Sequence, residues 1–291
     1  MLTALSAALV GDVKRAAELL VSKKRICILT GAGVSAESGI PTFRDKQTGL
    51  WQQYRAEDLA TCTAFARDPQ LVWSWYQWRR QLVSDKVPNP AHHALAQWQQ
   101  HAKLHKQQLS LITQNVDDLH EQAGSTVTHL HGHLWHNRCS QCDQPYNDKS
   151  NNKPNNQSKT HNADHNTLPT QSNEQSESSN IVRNHDDKLL NCTHCGCYIR
   201  PDIVWFGESL PMQAWQTAES NAERCEVFIS IGTSSLVYPA AGLAQLAKQS
   251  GAKIIEINPD PTPNTLVDIT LAAKAGIVMP QLIKQVIALQ P

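Results

Sequence analysis

Short apolar runs alternate with amphipathic stretches along most of the 291-residue chain. Continuous apolar runs of this length are typical of buried parallel strands, and the stretches between them have helical spacing. Strands that alternate with helices in this way predict an α/β fold, a doubly wound, Rossmann-like parallel sheet with a smaller lobe. The predicted strands are Ile26–Leu29, Leu109–Thr113, Val127–Leu130, Val227–Ile231 and Lys253–Ile257.

The helices are predicted from apolar spacing and from their end signals. The clearest one runs from Pro69 to about Val83, because Asp68 can cap it and proline suits the first helical position. A further helix is predicted to stop at Gly124, since glycine often ends helices. The others are a leading helix within Met1–Val21, Ala91–Gln107, Tyr238–Gln249 and Pro280–Leu289.

The order of these elements predicts a large domain interrupted by a small lobe. Residues 1–20 form the leading helix, and residues 21–57, 107–135 and 201–291 form the Rossmann-like domain. Residues 58–106 are expected to be a helical module of the small lobe, and residues 136–200, which contain two Cys-x-x-Cys pairs, a zinc module. Within the zinc module, residues 147–188 consist mostly of Asn, Ser, Gln, Thr and Lys. Such a segment buries too little apolar surface to offset its ordering entropy, which predicts a disordered insertion.

The composition argues against several classes of protein. The formal net charge is zero, so nothing indicates nucleic-acid binding. No apolar run approaches the ~20 residues of a membrane-spanning helix, and no secretory signal is recognisable. Acidic residues such as Asp12 and Glu18 near the N-terminus argue against a transit peptide. We expect a cytoplasmic protein that binds neither nucleic acid nor membrane.

Two of the most informative motifs are cysteine pairs. Cys139-Ser-Gln-Cys142 and Cys192-Thr-His-Cys195 together supply four of the eight cysteines. In a cytosolic chain this spacing favours a metal over disulfides, and two such pairs can complete a tetrahedral zinc site. A closed four-cysteine site leaves no position for water, so one structural zinc ion is expected. Cys197 and His194 are possible competing ligands.

Residues with candidate chemistry follow the predicted strands. Gly31-Ala32-Gly33 comes directly after the first strand, but its spacing differs from that of ordinary dehydrogenases, so it fits a dinucleotide site and a tight structural turn equally well. The polar run from Gln114 to Asp118 follows the second strand and could bind a ligand or cap a helix. Four histidines close to the third strand are not distinguished by the residues alone: His129, His131, His133 and His136.

Taken together, the motifs resemble those of the sirtuins, the NAD-dependent protein deacylases. The matching strings are Gly31 to Arg44, Gln114-Asn-Val-Asp117, His131-Gly-His-Leu134, the two cysteine pairs and Val204 to Glu208. The resemblance implies that NAD is the co-substrate, that His131 is the general base and that Asn115 and Arg44 assist catalysis. It favours Cys192 and Cys195 as zinc ligands, although the family usually has glycine where Cys197 stands. The residues that it implies for cofactor binding are Gly31, Ala32, Gly33, Ala36, Thr42, Phe43, Arg44, Gln114, Asn115, Asp117, Gly232, Thr233, Ser234, Asn258 and Ala275.

The resemblance also implies where an acylated peptide binds. By itself, the segment Val204-Trp205-Phe206-Gly207-Glu208 is an edge strand that enters a turn. In the family it pairs with the substrate peptide through main-chain hydrogen bonds. The partners implied are therefore proteins or peptides that carry acylated lysines.

A second stretch bears on the acyl group. Tyr76 and Arg79 share one face of the helix that Asp68 caps, where a phenol and a guanidinium could hold a carboxylate. Ordinary packing of the aromatic residues, with solvated arginines, would produce the same pattern. Tyr76-x-x-Arg79 and the small Ala56 resemble the class III sirtuins, which implies a preference for succinyl, malonyl and glutaryl groups, with deacetylation also expected. The spacing from Tyr76 favours Arg79 over Arg80.

The resulting hypothesis is NAD-dependent removal of acyl groups from protein lysines, with nicotinamide, O-acyl-ADP-ribose and free lysine as products. Two alternatives remain at this point. One is a mono-ADP-ribosyltransferase that uses the same activation of NAD with another acceptor. The other is a non-catalytic scaffold that binds NAD or ADP-ribose, although simple binding would not need a base such as His131 beside Asn115.

Overall fold

The computed structural model describes residues 6–42, 54–146, 188–233, 238–261 and 265–290. Six parallel strands form the main sheet in the order β3-β2-β1-β7-β8-β9, and β5-β4-β6 form a three-stranded antiparallel sheet. This confirms the predicted fold class, and the strand order reverses beside β1. The strands are β1 (Arg25–Thr30), β2 (Gln108–Thr113), β3 (Thr128–His129), β4 (Gly132–Cys139), β5 (Pro145–Tyr146), β6 (Ile199–Ile203), β7 (Val227–Ile231), β8 (Lys253–Ile257) and β9 (Ile269–Leu271).

The helices largely follow the end signals in the sequence. Asp68 caps α5 as predicted, since its carboxylate accepts a hydrogen bond from the Leu71 N–H at 3.0 Å. The last helix begins at Ala275 and contains Pro280, whereas the sequence placed its start at Pro280. The helices are α1 (Ala7–Val21), α2 (Ala32–Ala36), α3 (Ala56–Leu59), α4 (Cys62–Arg67), α5 (Pro69–Ser84), α6 (Pro90–Leu104), α7 (Leu119–Gln122), α8 (Met212–Arg224), α9 (Gly242–Gln249) and α10 (Ala275–Leu289).

Helices cover both faces of the main sheet. On one face α1, α6 and α10 pack around β-strand side chains such as Ile28 and Ile229. On the other face α8 and α9 cover residues such as Cys27 and Phe228. By its packing α6 belongs with this large lobe, whereas the predicted boundary at residue 106 placed it in the small one. Within the described residues, no helix has the length and apolarity needed to cross a membrane.

The small lobe has its own apolar cores. One core gathers α3, α4 and α5 against β4 and β6, with Trp75 and Trp205 buried at its centre. A second core surrounds Trp73 near the cysteine pairs. The predicted disordered insertion lies outside the described residues except for Lys188, so its state stays a prediction.

Candidate active site

The residues proposed for cofactor binding gather at one edge of the main sheet. Gly31 follows β1, Gln114 follows β2, Gly232 follows β7 and Asn258 follows β8. His131 lies just past β3, where the chain crosses into the small lobe. In open α/β sheets, ligands bind at the carboxyl ends of the strands, beside the point where the strand order reverses. The structure thus brings the predicted residues together at the edge where a dinucleotide site is expected.

Glycines allow two of these loops to touch through their backbones. The Gly33 N–H donates to the Gly232 carbonyl at 2.8 Å. A Cβ placed on Gly33 would lie 2.7 Å from that carbonyl oxygen, and one on Gly31 would lie 2.9 Å from it. Gly232 itself has a φ of +58°. The glycines after β1 are therefore required for contact between the loops, in addition to any contact with a ligand.

Hydrogen bonds fix the polar side chains of the loop that follows β2. The Asn115 side chain donates to Ser35 Oγ at 3.1 Å, and the Gln114 side chain donates to Thr233 Oγ1 at 3.1 Å. Asn115 and Asp117 are both nearly completely buried, and burial raises the pKa of the Asp117 carboxyl. Asn258 donates to the Thr233 carbonyl at 3.3 Å. These contacts link the loops after β1, β2, β7 and β8 into one polar network.

The sequence analysis missed four members of this region. Ser35 is 1% exposed and bonded to Asn115, whereas Ala36, which was predicted to contact the cofactor, is exposed. Thr30 Oγ1 lies 3.0 Å from His120 Nε2, and the His120 and His92 rings meet edge to face. In the sequence, the hydroxyl of Ser35 within the glycine-rich string could have indicated that Ser35 belongs to the site. The histidines are separated from it along the chain and become neighbours only through packing of α6 and α7.

The ring of His131 is oriented by the loop after β2. Its Nδ1 lies 2.9 Å from the Gln114 carbonyl oxygen. A carbonyl oxygen only accepts hydrogen bonds, so Nδ1 carries the proton and Nε2 of the neutral ring keeps its lone pair. Burial lowers the pKa of His131, although the bond to Gln114 opposes this. The neutral base form is therefore the dominant one at neutral pH.

Gly132 fixes the backbone beside this base. It has a φ of +80°, and a Cβ at this position would lie 2.0 Å from the Asp202 carbonyl oxygen. Only glycine fits such a site. The His131 carbonyl accepts a hydrogen bond from the Val204 N–H at 2.9 Å, which joins the base to the segment after β6. The His-Gly pair thus positions an imidazole at the junction of the two lobes.

The other three histidines have different surroundings. His129 Nδ1 lies 2.9 Å from the Asn115 carbonyl oxygen, and its Nε2 lies 2.6 Å from Glu121 Oε1. His133 Nδ1 accepts a hydrogen bond from the Trp135 N–H at 3.3 Å. His136 is exposed and stacks on His133. The structure thus separates four histidines that the sequence alone could not distinguish.

The predicted acyl-binding residues line one apolar cluster. Ala56, Tyr76 and Trp205 are all buried in it, and Phe65 packs 5.2 Å from Trp205 between ring centres. The Tyr76 hydroxyl accepts a hydrogen bond from Trp205 Nε1 at 2.9 Å. Burial raises the pKa of Tyr76 to about 12, so its hydroxyl keeps a proton that it can donate.

The two neighbouring arginines of α5 have different environments. Arg80 is 4% exposed, and its guanidinium donates to the Leu134 carbonyl at 2.8 Å and to the Asn137 side chain at 2.7 Å. Arg80 therefore ties α5 to β4. Arg79 lies over the Trp75 ring at 5.2 Å from its centre. Burial lowers the pKa of Arg79, while electrostatic interactions with Tyr76 and Asp117 oppose that shift.

The segment proposed to bind the peptide is mainly a turn. Strand β6 ends at Ile203, and the Glu208 N–H donates to the Trp205 carbonyl at 3.0 Å. Phe206 makes one isolated parallel bridge to Thr61 and is half exposed. The turn predicted at the end of this segment is present. The edge strand predicted before the turn consists only of this single bridge.

Glu208 holds the turn together, and its predicted contact with substrate stays a prediction. Its carboxylate accepts hydrogen bonds from Arg200 at 2.6 and 2.8 Å and from the Trp205 N–H at 2.8 Å. The Arg200 guanidinium also stacks 3.2 Å from the centre of the Trp205 ring. Burial acts to raise the pKa of Glu208, but these hydrogen bonds and that of Cys62 outweigh it and hold the pKa at about 2.

The two cysteine pairs meet in the small lobe. All four sulfurs, from Cys139, Cys142, Cys192 and Cys195, lie within 4.8 Å of one another. The Cys139–Cys195 and Cys142–Cys192 Sγ distances are 3.4 and 3.8 Å, close to the roughly 3.8 Å expected for thiolates on one tetrahedral zinc. Backbone N–H groups of Gln141 and His194 point at Cys139 and Cys192. These donors fit a structural zinc ion, and neither Cys197 nor the His194 ring belongs to the group.

Some of the remaining predicted cofactor contacts lie within the described residues and others lie outside them. Phe43, Arg44 and Ser234 lie outside the described residues, so their roles stay predictions. Thr42 is partly buried at the end of the described segment that follows α2. Ala275 is buried at the first position of α10, and its contact with the cofactor stays a prediction.

Comparison with known proteins accounts for this arrangement. The family model described as the Sir2 family matches residues 31–239. A protein of Mycolicibacterium paratuberculosis named NAD-dependent protein deacylase is 42% identical over 269 residues, which cover 91% of this chain and 99% of that protein. A Sir2 homologue solved in complex with NAD has a TM-score of 0.77 at 42% identity, covering 96% of this chain and 95% of the other. A Sir2 protein bound to a myristoylated histone peptide has a TM-score of 0.68 at 30% identity, covering 96% of this chain and 98% of the other. The chain belongs to the Sir2 family, the sirtuins, as its motifs predicted.

Proposed function

We propose that the protein is an NAD-dependent protein lysine deacylase that prefers acyl groups ending in a carboxylate. The observation that carries the proposal is the His131 ring, which the Gln114 carbonyl holds as the Nδ1–H tautomer at the edge of the sheet, in front of the loop that carries the buried Asn115 and Asp117. The similarity to proteins named NAD-dependent protein deacylase supports the reaction type. The proposed products are nicotinamide, O-acyl-ADP-ribose and free lysine.

The glycine loops and the polar network fit a dinucleotide. Gly31 and Gly33 lie without side chains at the carboxyl end of β1, where α2 begins, and a glycine turn at this position suits a phosphate group. Thr233 and Asn258 add polar groups on the β7 and β8 side, suited to ribose hydroxyls. On the β2 side, Asn115 and Asp117 are buried polar groups directed into the same region, suited to a carboxamide.

NAD, when bound, supplies the ribose that accepts the acyl group and releases nicotinamide. His131 would take a proton from a ribose hydroxyl through Nε2, because the Gln114 carbonyl already engages Nδ1. Burial lowers the pKa of His131, which favours the neutral form that can accept that proton. Asn115, fixed by Ser35, would orient the ribose or water.

The carboxylate preference is proposed from Tyr76 and Arg79. Tyr76 accepts a hydrogen bond from Trp205 and still has a proton to donate. Arg79 interacts electrostatically with Tyr76, whereas the neighbouring Arg80 is bonded to β4, so Arg79 is the arginine proposed to meet the acyl carboxylate. A phenol and a guanidinium together can bind a succinyl or malonyl carboxylate, while the small Ala56 leaves room for the chain.

The acylated peptide is proposed to run along the segment from Val204 to Phe206. Val204 is joined to the His131 carbonyl, and the Phe206 N–H donates to the Ala60 carbonyl at 2.9 Å, so the segment is anchored between base and α3. A peptide that adds to this segment would place its lysine near His131. Main-chain pairing of this kind has little sequence selectivity.

The decisive experiment measures NAD consumption and lysine release with matched acetyl-, malonyl- and succinyl-lysine peptides. The wild type should turn over all three, with the highest kcat/KM on the carboxylate-bearing peptides. Arg79→Met should lower kcat/KM for succinyl-lysine by about ten- to a hundredfold, since a hydrogen bond between charged groups contributes roughly 1.5–3 kcal/mol. Acetyl-lysine turnover should change far less.

Arg80→Met is the matched control, because it removes the neighbouring guanidinium of α5, which is bonded to β4. It should lower stability and affect all three peptides alike. If Arg79→Met depresses acetyl- and succinyl-lysine turnover equally, Arg79 is structural and the proposed preference fails. If none of the peptides supports NAD consumption, the deacylase proposal itself fails.

A further inference from the structure

A second group of metal-binding side chains lies beside the proposed base. Glu121 at the end of α7, His129 of β3 and His133 of β4 each direct one ligand atom toward a common point, and these atoms all lie within 4.8 Å of one another. The group is separate from the four-cysteine cluster. Neither the dinucleotide contacts nor the acyl contacts proposed above use any of its three side chains.

The positions of the three residues follow from contacts between β3, the start of β4 and the loop after β2. His129 Nδ1 faces the Asn115 carbonyl of that loop, while Leu130 and Leu134 are buried. The His131 ring is engaged by the Gln114 carbonyl. The rings on either side of it, His129 and His133, approach to 5.0 Å between centres.

The hydrogen bonds of His129 hold its ring in an orientation that suits a metal ligand. Its Nδ1 faces the Asn115 carbonyl at 2.9 Å, so that nitrogen must carry a proton. Its Nε2 faces Glu121 Oε1 at 2.6 Å, which in the absence of a metal requires a second ring proton. A histidine that donates through Nδ1 to a backbone carbonyl and directs Nε2 at the ion is the arrangement found in most metal sites. A cation at this point would replace the Nε2 proton.

The surroundings also favour a cation. Glu121 contributes one negative charge, and Asp117 and Asp118 interact electrostatically with His129 and His133 respectively. His133 accepts the Trp135 N–H through Nδ1, which anchors its ring and leaves Nε2 as the nitrogen to bind an ion. The Glu121 side chain is 39% exposed, which gives an ion access from solvent.

We propose that Glu121, His129 and His133 form a second, exchangeable site for a divalent transition-metal ion of the zinc class. Two imidazoles and one carboxylate are the ligands that such ions prefer, and three protein ligands leave one position for water. Two ligands on a tetrahedral zinc lie roughly 3.3 Å apart, so Glu121 has to move outward by less than ~1 Å from its present contact with His129. An ion bound here would cross-link α7 to the segment that carries His131.

The test uses tag-free protein whose four-cysteine site already holds one zinc ion per chain. Titration with Zn²⁺, followed by calorimetry, should show one additional equivalent. X-ray absorption of that second equivalent should show nitrogen and oxygen ligands at about 2.0–2.1 Å rather than sulfur at about 2.3 Å. Glu121→Gln and His133→Gln should each weaken this second binding by more than tenfold, while turnover without added metal stays at the wild-type level.

His93→Gln is the matched control, because His93 is an exposed histidine of α6 outside the group. It should bind the second equivalent as the wild type does. Glu121→Gln changes an exposed side chain and serves as the decisive variant if His133→Gln fails to fold. The proposal is overturned if the wild type takes up only one zinc ion, or if Glu121→Gln binds the second as tightly as His93→Gln does. Metal binding is measured independently of deacylation, so either proposal can fail alone.

Discussion

Replacing Gly132 by alanine tests the physical basis of the His-Gly pair. Two costs are expected: one from the left-handed backbone, with a φ of +80°, and one from steric overlap. The Cβ would lie 2.0 Å from the Asp202 carbonyl oxygen, whereas ordinary contacts are 3.4–4 Å. Strand β6 would therefore have to move away from β4 by more than ~1 Å.

The steric overlap and the left-handed backbone conformation each lower the free energy of unfolding of Gly132→Ala. A non-glycine residue in the left-handed region costs about 1–2 kcal/mol. Moving β6 disrupts the pairing of Gly132 with Ile203 and the hydrogen bond from Val204 to His131, each worth about 1 kcal/mol. Residual overlap in a packed region adds about 1–3 kcal/mol. The total loss in the free energy of unfolding is thus about 4–7 kcal/mol.

Gly124→Ala is the matched control. Gly124 has a φ of +95°, but nothing lies within 4 Å of the added Cβ, so only the backbone cost of about 1–2 kcal/mol applies. Urea denaturation of both variants measures the difference directly, and peptide turnover should fall strongly only for Gly132→Ala. Equal destabilisation by the two substitutions would refute the steric argument.

Three further outcomes are expected. His131→Ala should fold and bind NAD but lower deacylation by ~10²–10⁴-fold, measured by lysine release. Cys192→Ser should lose the tightly bound zinc and destabilise the small lobe, measured by elemental analysis and thermal denaturation, because metal binding supplies folding free energy. Stability should fall as the pH drops from about 6.5 toward 4, measured by urea denaturation: burial lowers the pKa of His92 to about 4 and also holds that of His120 well below its usual value, so the unfolded chain binds more protons in this window.

Each of these outcomes can be contradicted. Wild-type turnover in His131→Ala would transfer the base function to His129 or His133. A folded, active Cys192→Ser protein without metal would remove the structural role of zinc. Equal stability at pH 7.5 and pH 5 would mean that the buried histidines are protonated in the folded state or that other groups compensate for them.

Much of the large lobe follows from local sequence. Strands β7 and β8 have the predicted bounds, because continuous apolar runs end at residues that leave the sheet. The cap at Asp68 defines the start of α5 for a similarly local reason. The edge location of Gln114 and His131 also follows, since the carboxyl ends of parallel strands converge.

Other features depend on packing between distant segments. Pro280 is a typical first-turn residue, yet α10 begins at Ala275, because packing against α1 and α6 stabilises an earlier start. The pairing of Arg200 with Glu208 spans the turn after β6, so the role of Glu208 in anchoring Trp205 could not be predicted from local pattern. The approach of Glu121 to His129 likewise arises only when α7 packs beside β3.

The hydrogen bond between the Val204 N–H and the His131 carbonyl has a mechanical consequence. Both residues stand where the chain passes between the lobes, His131 entering β4 and Val204 leaving β6, and these two strands are paired. The two crossings therefore act as one hinge. If the lobes rotate about it, the imidazole and the segment proposed to bind peptide travel as a single body, and their mutual alignment is preserved through opening and closing of the cleft.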